Sequence, residues 1–340
     1  MTIEEFARSV GVSTATVSRT LSGRGPVSEE KRRLILDRMG ELGYVPNLAA
    51  RTLVTGRTNT VLLACGEVPA LGDLYTLEMI RGVQNALAAH HYGLLLNAPD
   101  RADTGVMAVV TGRAVDGVLL MDEDDTGPDP LLLAQKITER GIPCVIIGHR
   151  PIEDRPGIGS VVIDVEASGE AAAHLLLERG HRRIGFIGSR SPDKLLSRFR
   201  ATLEQAGCSL PASQVVIAGK EAEQGRLSLH TLLDRQHGTG PLTAVFARTD
   251  SLAAGALQAA RQRGLRVPED LSIIGHDDVP FSALTAPPLT TLRVDCGKVG
   301  AAAAEMLLHL FRKEAAPGVR IFYPELVLRE TVAEPRQNEL

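Results

Sequence analysis

Several large protein classes are excluded by what this sequence lacks. Its four cysteines, Cys65, Cys144, Cys208 and Cys296, lie far apart and form no CxxC pair, so neither a zinc site nor a disulfide framework is indicated. They read as buried, reduced thiols. No basic-then-apolar signal region opens the chain, and no apolar run approaches the roughly 18 residues that span a bilayer. A cytoplasmic protein with no membrane partner is therefore expected. GxGxxG, GxxxxGKS/T and HExxH are all missing, so no cofactor, metal or catalytic motif supports an enzyme. An excess of positive charge is missing too, since the formal net charge is -4.

That last absence dissolves when the charge is divided along the chain. Through Arg57 there are nine basic residues against six acidic ones, a local balance of +3, which leaves -7 on the remainder. A basic module on an acidic body is the pattern of a polyanion binder. With 340 residues and 44% hydrophobic content, two or three folded units are expected.

The basic module reads as a helix-turn-helix. Thr2 and Glu5 form a capping box, and Ile3, Phe6, Ala7 and Val10 recur at the spacing of one helical face. Gly11 turns the chain, Val12 plugs the corner, and Ser13 caps a second helix that turns Val17 and Leu21 inward. Its outer face carries Thr14, Ala15, Thr16, Ser18 and Arg19. Short polar groups with one guanidinium suit the major groove of DNA, where an arginine fork matches guanine O6 and N7. Ser28 caps a third helix with Leu34, Ile35, Met39 and Leu42 as its apolar face and Lys31, Arg32 and Arg33 near its start. Tyr44-Val45-Pro46-Asn47 then breaks the helix, and Leu48 to Val54 is a helical stretch ended by Gly56. Two turns of helix do not hold together alone in water, so this segment is expected to fold only when something completes it.

From Thr60 onward short apolar runs alternate with helix-length segments, first from Val61 to Ile163 and again from Ile184 to Gly275. These are βαβ units, and two series imply two parallel sheets with helices on both faces, with a cleft between two lobes. Ligands of open α/β sheets sit at the carboxyl ends of the strands. That rule marks Leu74, Tyr75, His149, Arg150, Asp164, Thr249, Asp250, His276, Asp277 and Asp278 as candidate effector residues, with Asp277 foremost. Carboxylates beside an aromatic ring suit a sugar, because one carboxylate accepts from two hydroxyls at once. His276 beside two aspartates reads as pocket lining, since no nucleophile or second histidine cluster accompanies it.

Several blocks carry a family resemblance. GVSTATVSRTLSG at 11–23, VSEEKRRLILDRMGELGYVPNLAARTL at 27–53, VDGVLL at 115–120, GHRRIGFIG at 180–188, TAVFARTD at 243–250 and the long block from Leu265 to Asp295 resemble, in order, the lactose-repressor (LacI/GalR) family of bacterial transcriptional regulators. The resemblance covers nearly the whole chain. It implies an all-α helix-turn-helix headpiece (1–45), a hinge (46–58) and an α/β two-lobed periplasmic-binding-protein-like core (59–330), followed by a tail (331–340). Lobe 1 is expected near 59–161 and 290–320 and lobe 2 near 162–288 and 321–330, with crossings near Val162, Leu289 and Ile321. It also implies that hinge residues Asn47, Ala50 and Leu53 enter the minor groove, with Leu53 wedged between base pairs to bend the operator. A small-molecule effector, carbohydrate by class, is expected in the cleft. The chain departs from the family at Leu74, often aromatic, at Val165 and Thr249, often Asn, and at effector-site position Leu195, often Arg. Two-fold pairing of hinges requires a homodimer on double-stranded DNA. The tail has no leucine heptad, so a dimer rather than a tetramer is expected. An enzyme on the same fold, or a DNA-binding protein with no effector, are the rival readings.

Overall fold

The structure, a computed structural model, describes residues 1–22, 25–44, 52, 56–65, 74–97, 104–122, 129–153, 155–189, 193–235, 240–312 and 318–336. Among the described residues of the N-terminal unit stand three helices, α1 (Ile3–Val10), α2 (Thr14–Ser22) and α3 (Glu29–Leu42). The capping box forms, with Glu5 N donating to Thr2 Oγ1 at 3.2 Å and Thr2 N to Glu5 Oε2 at 2.8 Å. Ser13 Oγ accepts from Thr16 N at 3.1 Å, which starts α2. Phe6, Ala7, Val17 and Ile35 are buried together, and Tyr44 closes this core by stacking on Phe6 with centroids 4.3 Å apart. The expected inner face of α3 is narrower than the sequence pattern implies. Ile35 is buried, but Leu34 and Leu42 are 44% and 42% exposed, because α1 and α2 cover only one stripe of a third helix.

The remainder holds two six-stranded sheets. The first is built from β1 (Thr60–Ala64), β2 (Gly93–Asn97), β3 (Gly117–Met121), β4 (Cys144–Gly148), β5 (Ile158–Ile163) and β11 (Arg320–Phe322), in spatial order β11-β5-β4-β3-β1-β2. Its helices are α4 (Leu74–Ala88), α5 (Thr104–Thr111), α6 (Pro130–Thr138) and α11 (Cys296–Phe311). The second takes β6 (Ile184–Gly188), β7 (Val215–Ile217), β8 (Ala244–Ala247), β9 (Ser272–Asp277), β10 (Thr290–Arg293) and β12 (Glu325–Val327), in order β12-β10-β9-β8-β6-β7. Its helices are α7 (Val165–Glu178), α8 (Lys194–Gln205), α9 (Ala222–Asp234) and α10 (Asp250–Gln262). All pairings are parallel except β10 with β12. Central strands such as β4 and β6 are buried at every residue, as strands covered by helices on both faces must be.

The chain passes between sheets three times, but not quite where the sequence suggests. Thr290–Arg293 pairs with β9, so the second crossing follows Arg293 rather than Leu289. Ile321 pairs with Val162 inside the first sheet, so the first crossing, after Ile163, and the third, after Phe322, lie within a residue of Val162 and Ile321, and only the second is displaced. Short strands that continue straight through a crossing carry no turn residue to mark the change of sheet. Helix α4 lies against α11 at close range. A Cβ on Gly300 would stand 2.2 Å from Met79 O, and one on Gly82 would stand 2.0 Å from Gly297 O.

Candidate DNA-binding and effector sites

Helix α2 presents Ser13, Thr14, Ala15 and Arg19 to solvent, with Thr16 and Ser18 half-buried beside them. Ser13 and Thr16 hydroxyls lie 2.8 Å apart, so the polar start of the helix is internally tied. Gly25, at φ +86, passes the Arg19 side chain closely enough that a Cβ would stand 3.4 Å from Arg19 Cδ. The basic start of α3 is engaged differently. Arg32 and Arg33 face Glu29 and Asp37 at 3.9 Å, loose exposed pairs that leave both guanidinium groups available. Asn47, Ala50 and Leu53 lie outside the described residues.

The candidate effector residues divide among several environments. Leu74, Tyr75, Asp277, Arg293, Asp295 and Cys296 line a pocket of about 270 Å³. His149, Asp164, Glu166, Arg198 and Ile321 line another, of about 280 Å³. Asp164 also caps α7 by accepting from Ala167 N at 2.9 Å. His276 is buried, with Nδ1 2.7 Å from Asp277 Oδ1 and Nε2 2.9 Å from Ser168 Oγ. Arg248 Nη1 also lies 3.4 Å from Nδ1, so a guanidinium, a carboxylate and a hydroxyl enclose the ring. Asp277 has φ +111, a conformation side chains rarely adopt. Asp278, next to it, accepts from Arg293 Nε at 2.7 Å and Arg329 Nη2 at 2.6 Å, which holds the strained corner in place. Burial lifts the Tyr75 hydroxyl well above the usual phenol range, with Cys296 and Asp277 adding to it.

One pair at the carboxyl edge of the second sheet is incompletely satisfied. Arg248 Nε and Asp193 Oδ2 are 3.3 Å apart and buried, yet they lack hydrogen-bond alignment and neither atom has another partner. Buried polar atoms without partners are rare and mark places where something else can bind. Among the described residues no cluster of His, Cys, Asp or Glu could hold a metal, and no helix is long and apolar enough to cross a membrane.

Comparison with known proteins fits this geometry. Residues 2–47 match the family described as "Bacterial regulatory proteins, lacI family", and residues 173–332 match "Periplasmic binding protein-like domain". The HTH-type transcriptional regulator DegA of Bacillus subtilis (strain 168) is 31% identical, over 98% of this chain and 98% of its own. The chain belongs to the LacI family of DNA-binding transcriptional regulators. A structure of the transcriptional regulator CelR in complex with cellobiose is 29% identical, with TM-score 0.70, covering 97% of this chain and 99% of that one. The lac repressor dimer bound to operator and the anti-inducer ONPF shares the fold, at 23% identity and TM-score 0.80 over 98% of this chain and 99% of its own. These relatives are regulators rather than enzymes.

As a LacI-family core, the molecule departs from the sequence reading at three candidate residues. Leu195, named because the family often has Arg there, is fully buried in the apolar core. It lies on the inner face of α8 with Phe199 and Leu203, and its carbonyl would be 2.3 Å from a Cβ on Gly169. Asp250 is fully buried too, accepting from Val279 N at 3.0 Å, Ser282 Oγ at 2.5 Å and Thr291 Oγ1 at 2.6 Å. Burial, chiefly, raises its carboxyl to about 7. It joins α10, the loop after β9 and β10, and has no face left for a ligand. Thr249 caps α10 by accepting from Leu252 N at 3.2 Å. Conversely, Asp193, Lys194, Arg248 and Arg293 carry no signal in the sequence, and Cys296, a buried thiol by its sequence, also lines the pocket beside Asp277. Lys194 Nζ reaches His149 O across the two lobes at 3.3 Å, next to the position where the family's arginine is lost.

Proposed function

We propose that this regulator acts as a repressor, binding a palindromic operator as a homodimer, with affinity set by a neutral carbohydrate-type ligand in the interlobe cleft. The exposed face of α2 carries the DNA reading: Thr14, Ala15 and Arg19 stand clear of a well-packed headpiece. Arg19 is assigned to a guanine, Ser13, Thr16 and Ser18 to phosphates or base edges, and the hinge residues Asn47, Ala50 and Leu53 to the minor groove. The headpiece is read as 1–45, the hinge as 46–58 and the core as 59–330.

Dimerisation is supported by the sheet edges. Leu95 and Leu96 on edge strand β2, with Leu77 on α4, are 38%, 41% and 38% exposed, and Ile217 on edge strand β7 is 41% exposed. Unpaired edges carrying leucine are liabilities unless a second copy covers them. The neutral ligand is supported by charge pairing. Among the described residues Arg248 faces Asp193 and Asp278 holds two arginines, so the arginines set around Asp277 are already paired with carboxylates. The pocket lined by Leu74, Tyr75 and Asp277 combines apolar, phenolic and carboxylate groups, a lining that suits a hydroxyl-bearing ligand. A relative of known structure, CelR, holds cellobiose.

Calorimetric titration with neutral mono- and disaccharides and their phosphates, run beside release from an operator selected from random sequence, tests this reading. A neutral sugar is expected to bind and to change operator affinity at least about tenfold, a typical allosteric coupling. Binding confined to phosphorylated or acidic compounds would contradict the neutral-ligand assignment, and no binding at all would remove the effector.

A further inference from the structure

Where the hinge enters the first sheet, the chain turns a corner whose hydrogen bonds converge on one side chain. Asp116, the residue before β3, accepts from Thr58 N at 2.8 Å and Thr58 Oγ1 at 3.0 Å on one oxygen, and from Asn59 N at 2.9 Å on the other. The Thr58 hydroxyl accepts in turn from Thr60 N at 3.2 Å. Asn59 sits at φ +52, a left-handed conformation that asparagine adopts more readily than most residues, and this bends the chain into β1. Its carbonyl accepts from Gly93 N at 2.8 Å, so the corner is also tied to β2. One residue outward, Arg57 is hydrogen-bonded to the Tyr92 hydroxyl, and the Tyr92 ring stacks on Phe311 at 5.2 Å.

The first sheet is paired through backbone independently of these side-chain bonds. Strand β3 pairs with β1 and β4 through backbone from Gly117 and Val118 onward. The Asp116 carboxylate is instead given wholly to the two residues by which the hinge reaches the lobe. Bonds to an ionised carboxylate are the stronger kind, and three of them remove most of the freedom of a short linker.

We propose that Asp116 is a positioning residue for operator binding, fixing the point and direction at which the hinge leaves the lobe so that the hinges of two protomers meet on the operator. This rests on the operator reading above. Releasing residues 57–59 would lower the effective concentration of each hinge at the operator centre without touching the recognition helix. Contacts of the headpiece with arbitrary DNA do not depend on the anchor.

The test uses the full-length chain with Asp116→Ala and Asp116→Asn, a duplex selected from a random pool by the unsubstituted protein, and a scrambled duplex of the same composition. Asp116→Ala is expected to weaken binding to the selected duplex about tenfold and to the scrambled duplex less than about twofold, a difference that the lower melting temperature from three lost hydrogen bonds does not by itself produce. Asp116→Asn, which keeps one acceptor oxygen, is expected to fall between. Selected-duplex affinity equal to that of the unsubstituted protein would overturn the proposal. So would equal losses on both duplexes, which mark a merely structural role. An unsubstituted protein that fails to distinguish the duplexes overturns the operator reading, and the anchor with it.

Discussion

Asp250 shows how one residue's environment can reverse the meaning of its sequence position. It stands at the carboxyl end of β8, where a ligand carboxylate belongs, but three donors and complete burial make it a structural joint. Its folded pKa, about 7, exceeds the ordinary 3.8, so the folded state holds a proton that the unfolded state has already released. The stabilisation is full below pH 4 and is lost as pH rises through 7, at about 1.4 kcal/mol per unit at most. Denaturant unfolding from pH 4 to 7 should show stability falling with pH in the native protein and a shallower slope in Asp250→Asn. Equal slopes would mean that Asp250 is ionised throughout. Asp277 was legible from sequence because it ends a strand visibly. Asp193, Arg248 and Cys296 were not, because only folding places them around the same cleft. Leu195 was misread by position within the family, although its own spacing with Phe199 and Leu203 is that of a buried helical face.

At the scale of elements, alternation made most strands and helices legible, since apolar runs such as Cys144 to Gly148 are too short for helices and bounded by turn residues. The crossings were harder. Strands β10, β11 and β12 are three or four residues long, and their sheet is decided by pairing partners distant in sequence. Close helix pairs leave no trace in the sequence beyond their glycines. Gly300 lets α11 approach α4 so closely that an added methyl would meet the Met79 carbonyl at 2.2 Å. Gly300→Ala is therefore expected to destabilise the core by about 1–3 kcal/mol despite alanine's better helix propensity, as read by urea denaturation. A neutral or stabilising outcome would show that the two helices part freely.

The whole molecule joins a basic reader to an acidic, two-lobed sensor through a hinge. One end of α4 and α11 borders the pocket proposed for the effector through Tyr75 and Cys296, and the other reaches Phe311, Tyr92 and Arg57 where the chain enters the first sheet. On the proposed function, this closely packed helix pair would connect effector state to the hinge. The reader was the most legible part of the sequence, because caps and apolar spacing are local. The cleft was the least legible, because its chemistry depends on pairings between lobes. The central claim, that α2 reads the operator, is tested most directly by fluorescence anisotropy titrations of the native chain and Arg19→Ala on the selected palindrome and its scrambled counterpart. Loss of a bidentate guanine contact should weaken the palindrome complex by about 1–3 kcal/mol per half-site while scrambled binding changes little. An Arg19→Ala chain that keeps the native preference for the palindrome would contradict the account.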